Sequence, residues 1–60
     1  MKKRELEKRL KRLGWYLLRQ GSRHEIWTNG SEQEAVPRHT EISEVLSAKI
    51  LRTAKRYPRS

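Results

Sequence analysis

The segment WYLLRQGSRHEIWTNGSEQEAVPR, residues 15–38, decides the fold, because turn residues divide it into three short strand-like pieces. WYLLRQ is rich in aromatic and apolar residues and is too short for an independent helix, which is typical of a strand. A Gly-Ser pair turns the chain before HEIWT, and Asn29-Gly30 is a strong hairpin signal before EAVPR. Pro37 cannot donate to a β-ladder and belongs at a strand end or a sheet edge. The pattern predicts strands at about residues 15–19, 24–28 and 34–37.

Amphipathic helices are predicted on both sides of this segment. Upstream, Leu6, Leu10 and Leu13 fall on one face of KKRELEKRLKRLG, and Gly14 suits a left-handed C-terminal cap. Downstream, ISEVLSAKILRTAKRY carries a wide apolar face at helical spacing, formed by Ile42, Val45, Leu46, Ile50, Thr53, Ala54 and Tyr57. The predicted helices run over about residues 3–13 and 43–56.

The order of these elements predicts an α+β fold, α-β-β-β-α, in one domain spanning residues 1–60. A three-stranded antiparallel sheet would carry both helices on one face, which is the arrangement of a double-stranded-RNA-binding domain. Ser43 or Thr40 is expected to cap the second helix. Pro58 is expected to end it, which would leave RYPRS at the C-terminus loose.

The core is expected to depend on large aromatic side chains, since the chain contains no Phe. At least two of three candidates should pack inside: Trp15, Tyr16 and Trp27. On the second strand, Ile26 is expected to face the core, with Glu25 and Trp27 on the other face. His24 shares the face of Ile26, so it can reach solvent only at the mouth of the strand or through a bulge after Ser22.

The charge balance favours a polyanionic partner. Fifteen lysines and arginines stand against seven acidic residues, giving a net charge of +8 on 60 residues. Such a chain most often binds nucleic acid, and an acidic protein or a membrane surface are further possibilities. The sequence has no Cys for a disulfide and no apolar run of roughly 18 residues that could span a membrane. These features predict a soluble cytoplasmic protein.

Two histidines, His24 and His39, are the main candidates for chemistry, since the chain has neither Cys nor Asp. Glu25 neighbours His24 but should point to the opposite face of the strand, which makes it a poor catalytic partner. The spacing of the His and Glu residues matches no metal-ligand pattern, so neither a metal nor another cofactor is expected. An imidazole can move a proton to or from the 2′-hydroxyl of RNA. Three arginines could stabilise the phosphate charge: Arg19, Arg23 and Arg38.

The residues alone leave several interpretations open. A lone histidine in a small protein is more often structural than catalytic, so the chain could bind RNA without cleaving it. His39 is more readily explained as a turn residue before the second helix. DNA binding is a weaker interpretation, because the second helix lacks a helix-turn-helix partner. Its basic residues are Lys49, Arg52, Lys55 and Arg56.

Two longer stretches, LKRLGWYLLRQGSRHEIWTNG and AVPRHTEISEVLSAKILR, resemble the HicA toxin family, also called YcfA-like mRNA interferases. The resemblance covers roughly residues 5–55. Its parts are a helix ending in LGW, a GS-x-H element, a VPRH strand end and the final ISEVLSAKIL helix. Each part is short, but together and in this order they are fairly specific.

This resemblance implies a toxin of a toxin–antitoxin system that cleaves mRNA without a metal and is neutralised by a HicB-type antitoxin. It implies the α-β-β-β-α fold and a single catalytic histidine after the Gly-Ser turn, which is His24 here. Gly21 would permit a positive φ or a close backbone approach to a phosphate, and Ser22 could bind a phosphate oxygen or the turn. Many relatives carry His or Asn in place of Arg23, a departure that adds a cation. No catalytic role is carried over to His39.

The first hypothesis is therefore a HicA-type endoribonuclease. DNA would be contacted only indirectly, through the antitoxin complex. The candidate RNA-binding residues lie around His24 and on the first helix: Arg19, Gly21, Ser22, Arg23, Arg38, Lys8, Lys11 and Arg12.

Overall fold

The structure is a computed structural model that describes residues 1–58. Its elements are α1 (Lys3–Arg12), β1 (Tyr16–Gln20), β2 (His24–Thr28), β3 (Gln33–Pro37) and α2 (Glu44–Arg56). The strands form one antiparallel sheet in the order β1-β2-β3, so the predicted α-β-β-β-α fold is confirmed. The stretch RYPRS was predicted to be loose, but Arg56 is the last residue of α2 and the Tyr57 carbonyl accepts hydrogen bonds from the Trp15 indole at 3.1 Å and the Asn29 amide at 2.6 Å. The last two residues of this stretch lie outside the described residues.

Both predicted helix caps are present. Gly14 follows α1 with a φ of 86°, a left-handed conformation that glycine adopts without steric cost. Ser43 caps α2, and its hydroxyl oxygen accepts a hydrogen bond from the Leu46 N–H at 3.2 Å. Within residues 1–58, no helix combines the length and the apolar character needed to cross a bilayer.

One core joins both helices to one face of the sheet. Its buried apolar side chains come from every layer of the fold: Leu6, Leu10, Trp15, Trp27, Val36, Ile42, Ile50, Leu51 and Ala54. Two of the three aromatic core candidates, Trp15 and Trp27, are therefore inside, as predicted, while Tyr16 is 39% exposed. Both helices cover the face of the sheet that carries Trp27 and Val36, and the opposite face is open.

The predicted apolar face of the second helix is wrong at Val45, which is 84% exposed, and at Tyr57, which is 42% exposed. The buried residues of α2 are Ser47, Ile50, Leu51 and Ala54. These positions repeat at three- and four-residue intervals and define one stripe along the helix. At about 100° per residue, Val45 lies on the far side of the helix from that stripe. Counting apolar residues made the predicted face too wide.

The expected facing of β2 is also wrong. Glu25 and Trp27 point into the core, whereas Ile26 lies half-buried on the outer face with His24. The Glu25 side chain can be buried because two donors reach it. The Lys3 ammonium donates at 2.9 Å, and the Trp27 indole N–H donates at 3.2 Å. Lys3 also donates to the Glu7 carboxylate.

The electrostatics of this buried cluster favour the charged forms. Burial by itself disfavours the Glu25 carboxylate, but the hydrogen bonds from Lys3 and Trp27 and the attraction of the Lys3 ammonium outweigh it. The pKa of Glu25 therefore lies below its ordinary value of 4.5. Burial likewise opposes the charge of Lys3, but hydrogen bonds to Glu7 and Glu25 hold its pKa above 10.5.

Replacing Glu25 with Gln should weaken the fold and flatten its response to acid. Because the native pKa of Glu25 is depressed, its pairing stabilises the protein above about pH 4.5, and this contribution disappears as the pH falls through the native pKa. We expect Glu25→Gln to lose about 2–3 kcal/mol of unfolding free energy at neutral pH, because it removes one of the two carboxylates that pair with the Lys3 ammonium. Urea denaturation at several pH values, followed by tryptophan fluorescence, measures both effects.

The matched control is Glu32→Gln, because Glu32 is exposed on the β2–β3 loop. It should keep the stability and the acid response of the wild type. An acid response of Glu25→Gln as steep as that of the wild type would contradict this account of the buried pair.

Candidate functional site

His24 is the first residue of β2, and its side chain is exposed. The alternation that turns Glu25 inward turns His24 to the open face of the sheet, away from the helices. The side chain therefore reaches solvent on the open face itself, because the face that it shares with Ile26 is not the core face. A bulge after Ser22 is not used, since β2 pairs regularly with β3 from His24 to Thr28.

Three hydrogen bonds hold the turn before His24, and two of them join it to Arg38, directly after β3. The Gly21 N–H donates to the His24 carbonyl at 2.7 Å, which closes the turn between β1 and β2. The Arg38 N–H donates to the Arg23 carbonyl at 3.1 Å. The Arg38 guanidinium also donates to the Gly21 carbonyl at 3.0 Å. Two stretches distant in sequence are thus fixed together at one corner of the sheet.

Gly21 is needed for close packing of the turn. A Cβ at this position would lie 3.0 Å from the His24 carbonyl oxygen, a tighter contact than side chains normally make with backbone. The positive-φ glycines of the described residues are Gly14 and Gly30. The close approach that explains Gly21 is therefore to a carbonyl of the chain itself, and the alternative of a positive φ is wrong.

A pocket of about 460 Å³ opens at this corner. Five side chains line it: Ser22, Arg23, His24, Arg38 and His39. Two guanidinium groups and two imidazoles make this lining suited to an anion. None of the ion pairs formed within residues 1–58 includes Arg23 or Arg38. These charges are therefore available to a ligand such as a phosphate.

The structure adds His39 to the four predicted residues that line this pocket. The register pairs His24 with Pro37, so one residue further on Arg38 lies opposite Arg23, as their hydrogen bond shows. His39, the next residue along the chain, therefore lies where it can line the pocket. The signal for this placement is the pairing register of two strands, which the VPRH motif alone does not reveal.

Arg19 lies near His24 because β1 is irregular. Leu17 pairs with Trp27, and Arg19, two residues on, pairs with Ile26, so a bulge occupies the position of Leu18. A bulge changes which face the following side chains occupy. It puts Arg19 opposite Ile26, on the outer face that carries His24. Arg19 does not line the pocket but belongs to the same face of the sheet.

The predicted basic residues of α1 form a separate surface, defined here as the α1 basic face: Lys8, Lys11 and Arg12. All three side chains are exposed. They do not line the pocket of His24. Their exposure allows them to contact a polyanion, and the structure does not join them to the histidine in one cavity.

Residues 1–58 contain no group of three or more His, Cys, Asp or Glu side chains placed to hold a metal ion. The pocket residues offer two imidazoles as potential metal ligands, and the neighbouring charged groups are cationic arginines.

Comparison with known families shows which family the chain resembles. A family described as "HicA toxin of bacterial toxin-antitoxin" matches residues 4–55 of the 60-residue chain. Searches of curated proteins and of solved structures found no match. The matched range contains the five helices and strands except Lys3, the first residue of α1, and Arg56, the last residue of α2, together with every residue that lines the pocket.

Adding a methyl group at Gly21 should disturb the corner of the sheet. The methyl would meet the His24 carbonyl at 3.0 Å, so the turn or the first residue of β2 must shift. We expect Gly21→Ala to lose about 1 kcal/mol of unfolding free energy. In an amide ¹H–¹⁵N spectrum, the shifts should concentrate at residues 21–24 and at Arg38. Ser22→Ala, which leaves this contact intact, serves as the control. If both variants showed the same pattern of chemical-shift changes relative to the wild type, the packing argument would be contradicted.

Proposed function

The chain belongs to the HicA toxin family of bacterial toxin–antitoxin systems, and we propose that it is an endoribonuclease that cleaves mRNA at the pocket of His24. The observation that carries the proposal is the pocket itself. An exposed imidazole lies there beside two arginines that form no ion pair within residues 1–58. The family implies a cognate antitoxin as partner, and we place the reaction in the cytoplasm, where mRNA is found.

RNA brings its own nucleophile to such a pocket. When the 2′-hydroxyl attacks the adjacent phosphorus, its proton must be accepted, and the departing 5′-oxygen must be given one. His24 is exposed on the open face of the sheet and can approach the ribose and the phosphate directly. An imidazole nitrogen can accept or donate a proton, so His24 can carry out one of these transfers without a metal ion.

The arginines supply charge where the phosphate becomes more negative. Arg23 and Arg38 line the same pocket as His24. One N–H of Arg38 is used by the Gly21 carbonyl, but a guanidinium has five N–H donors, so others can still bind a phosphate oxygen. Holding these cations in place before the reaction stabilises the charged transition state without a cost of reorganisation. Ser22 adds a hydroxyl to the lining.

The antitoxin is proposed to be of the HicB type and to act on the same surface. A partner that covers the pocket would exclude RNA from His24. Because the chain carries a net charge of +8, an acidic contact region would be attracted over a long range and would bind quickly. Contact with DNA would then be a property of the toxin–antitoxin complex.

Replacement of His24 should abolish cleavage without unfolding the protein. In an assay with excess EDTA and a long single-stranded RNA, we expect His24→Ala to lower the cleavage rate by about 10²–10⁴-fold, the usual contribution of a proton-transfer group. Val45→Ala is the control, because Val45 lies on the far side of α2 and is 84% exposed. Circular dichroism and urea midpoints confirm that both variants remain folded.

Each outcome of this assay has a definite meaning. Equal residual activity in the wild type and in His24→Ala would indicate a contaminating nuclease. Tight RNA binding without cleavage by either protein would replace the proposal with a non-catalytic RNA-binding module of the same fold.

The α1 basic face is proposed to guide the RNA backbone towards the pocket. Changing all three of its residues to Gln should weaken RNA binding and reduce the slope of log K against log salt by up to about 2, since each phosphate contact on single strands contributes about 0.7. Fluorescence anisotropy with a labelled RNA at several salt concentrations gives this slope.

The matched control has the same net charge but removes exposed cations from α2: Lys49, Arg52 and Arg56 changed to Gln. We expect its slope to stay close to that of the wild type. A larger reduction of this slope in the α2 variant than in the α1 variant would indicate that the nucleic acid contacts the second helix. A preference for duplex DNA in the same titration would favour the DNA-binding alternative.

A further inference from the structure

The pocket contains a second imidazole, in addition to that of His24. His39 is exposed and lines the same cavity of about 460 Å³. The other lining side chains are poorly suited to proton transfer. The guanidinium groups of Arg23 and Arg38 offer N–H donors to a phosphate but no acceptor, and Ser22 offers only a hydroxyl. The two histidines are therefore the two proton-transfer groups of this lining.

The backbone of His39 is held on both sides. Before it, Arg38 is bound to the Arg23 carbonyl through its N–H at 3.1 Å and to the Gly21 carbonyl through its guanidinium at 3.0 Å. After it, the Thr40 carbonyl accepts a hydrogen bond from the Lys3 N–H at 2.8 Å. An otherwise irregular segment is thus fixed between the sheet and the start of α1.

The register gives His24 and His39 a suitable separation. His24 is paired with Pro37, and residues that are diagonal across two antiparallel strands lie about 7–8 Å apart. The strand ends at Pro37, but the hydrogen bond of Arg38 to Arg23 continues the pairing by one residue. His39 is therefore close to the diagonal position of His24. Both imidazoles line one pocket of about 460 Å³, which is large enough to hold a phosphate group.

We propose that His24 and His39 divide the two proton transfers of RNA cleavage between them, an inference that rests on the proposed ribonuclease function. One imidazole accepts the proton of the 2′-hydroxyl as the O2′–P bond forms. The other donates a proton to the 5′-oxygen as the P–O5′ bond breaks. The products are a 2′,3′-cyclic phosphate and a 5′-hydroxyl, and exchange with water restores both imidazoles. In-line displacement puts the two oxygens on opposite sides of the phosphorus, so two groups serve better than one.

The first test is the dependence of the single-turnover cleavage rate on pH. One group must start neutral and the other protonated, so the wild type should show a bell-shaped profile. His39→Gln keeps a polar side chain but cannot transfer a proton. We expect it to lose one limb of the bell and about 10²–10³-fold in rate at the optimum. Glu41→Gln changes an exposed residue of the same segment and should retain the wild-type profile.

The second test separates the roles with an altered leaving group. A substrate with sulfur in place of the 5′-oxygen at the mapped scissile bond releases a thiolate, which needs no proton. The variant that lacks the general acid should cleave this substrate within about tenfold of the wild-type rate, whereas the variant that lacks the general base should remain slow. Restored cleavage in His39→Gln makes His39 the general acid. Restored cleavage in His24→Gln makes His24 the general acid and His39 the general base.

The two proposals fail in different ways. If the wild type cleaves RNA and His24→Gln does not, but His39→Gln keeps both limbs and a rate within about threefold of the wild type, only the role of His39 is overturned. Suppose instead that His39→Gln loses much of the rate but keeps both limbs of the pH profile, and that the sulfur substrate restores neither variant. His39 would then be a binding residue, which also overturns the inference. No cleavage by the folded wild type would overturn both proposals.

Discussion

The ion pair between Lys3 and Glu25 is the interaction on which the arrangement of the molecule depends. It joins the first turn of α1 to the inner face of β2, and the Trp27 indole completes the contacts of the carboxylate. Successive residues of a strand point to opposite faces. Once Glu25 and Trp27 face the helices, His24 and Ile26 must face away from them. The exposure of His24 is therefore a consequence of how its neighbour is buried.

The fold could be predicted because its signals are local. Leucines at helical spacing, Gly14 after α1 and the Asn29-Gly30 turn each act over a few residues. The facing of β2 could not be predicted in the same way. Carboxylates are almost never buried unless they are paired, so the pattern favoured Ile26 for the core. The partner that makes burial possible, Lys3, lies 22 residues away in sequence.

The candidate site likewise contains residues that could be predicted from local sequence and residues that could not. Gly21, Ser22, Arg23 and His24 are contiguous, and a motif of four residues can be recognised in a sequence. The positions of His39 and Arg19 relative to His24 depend on strand register and on the bulge in β1. A slip of one residue would put either side chain on the opposite face. Neither register nor bulge has a clear signature in this chain, so a second histidine in the pocket emerges only from the folded structure.

Glu25 and His24 are adjacent in sequence, yet their loss would affect the protein for different reasons. A domain of this size has a stability of only a few kcal/mol, and loss of a buried charge partner costs an amount of the same order. Weakened activity after a change at Glu25 therefore reflects a smaller folded fraction. His24 is exposed and contributes little packing, so its replacement leaves the folded fraction intact and changes the chemistry of the pocket. Activity per folded molecule is the quantity that separates the two neighbours.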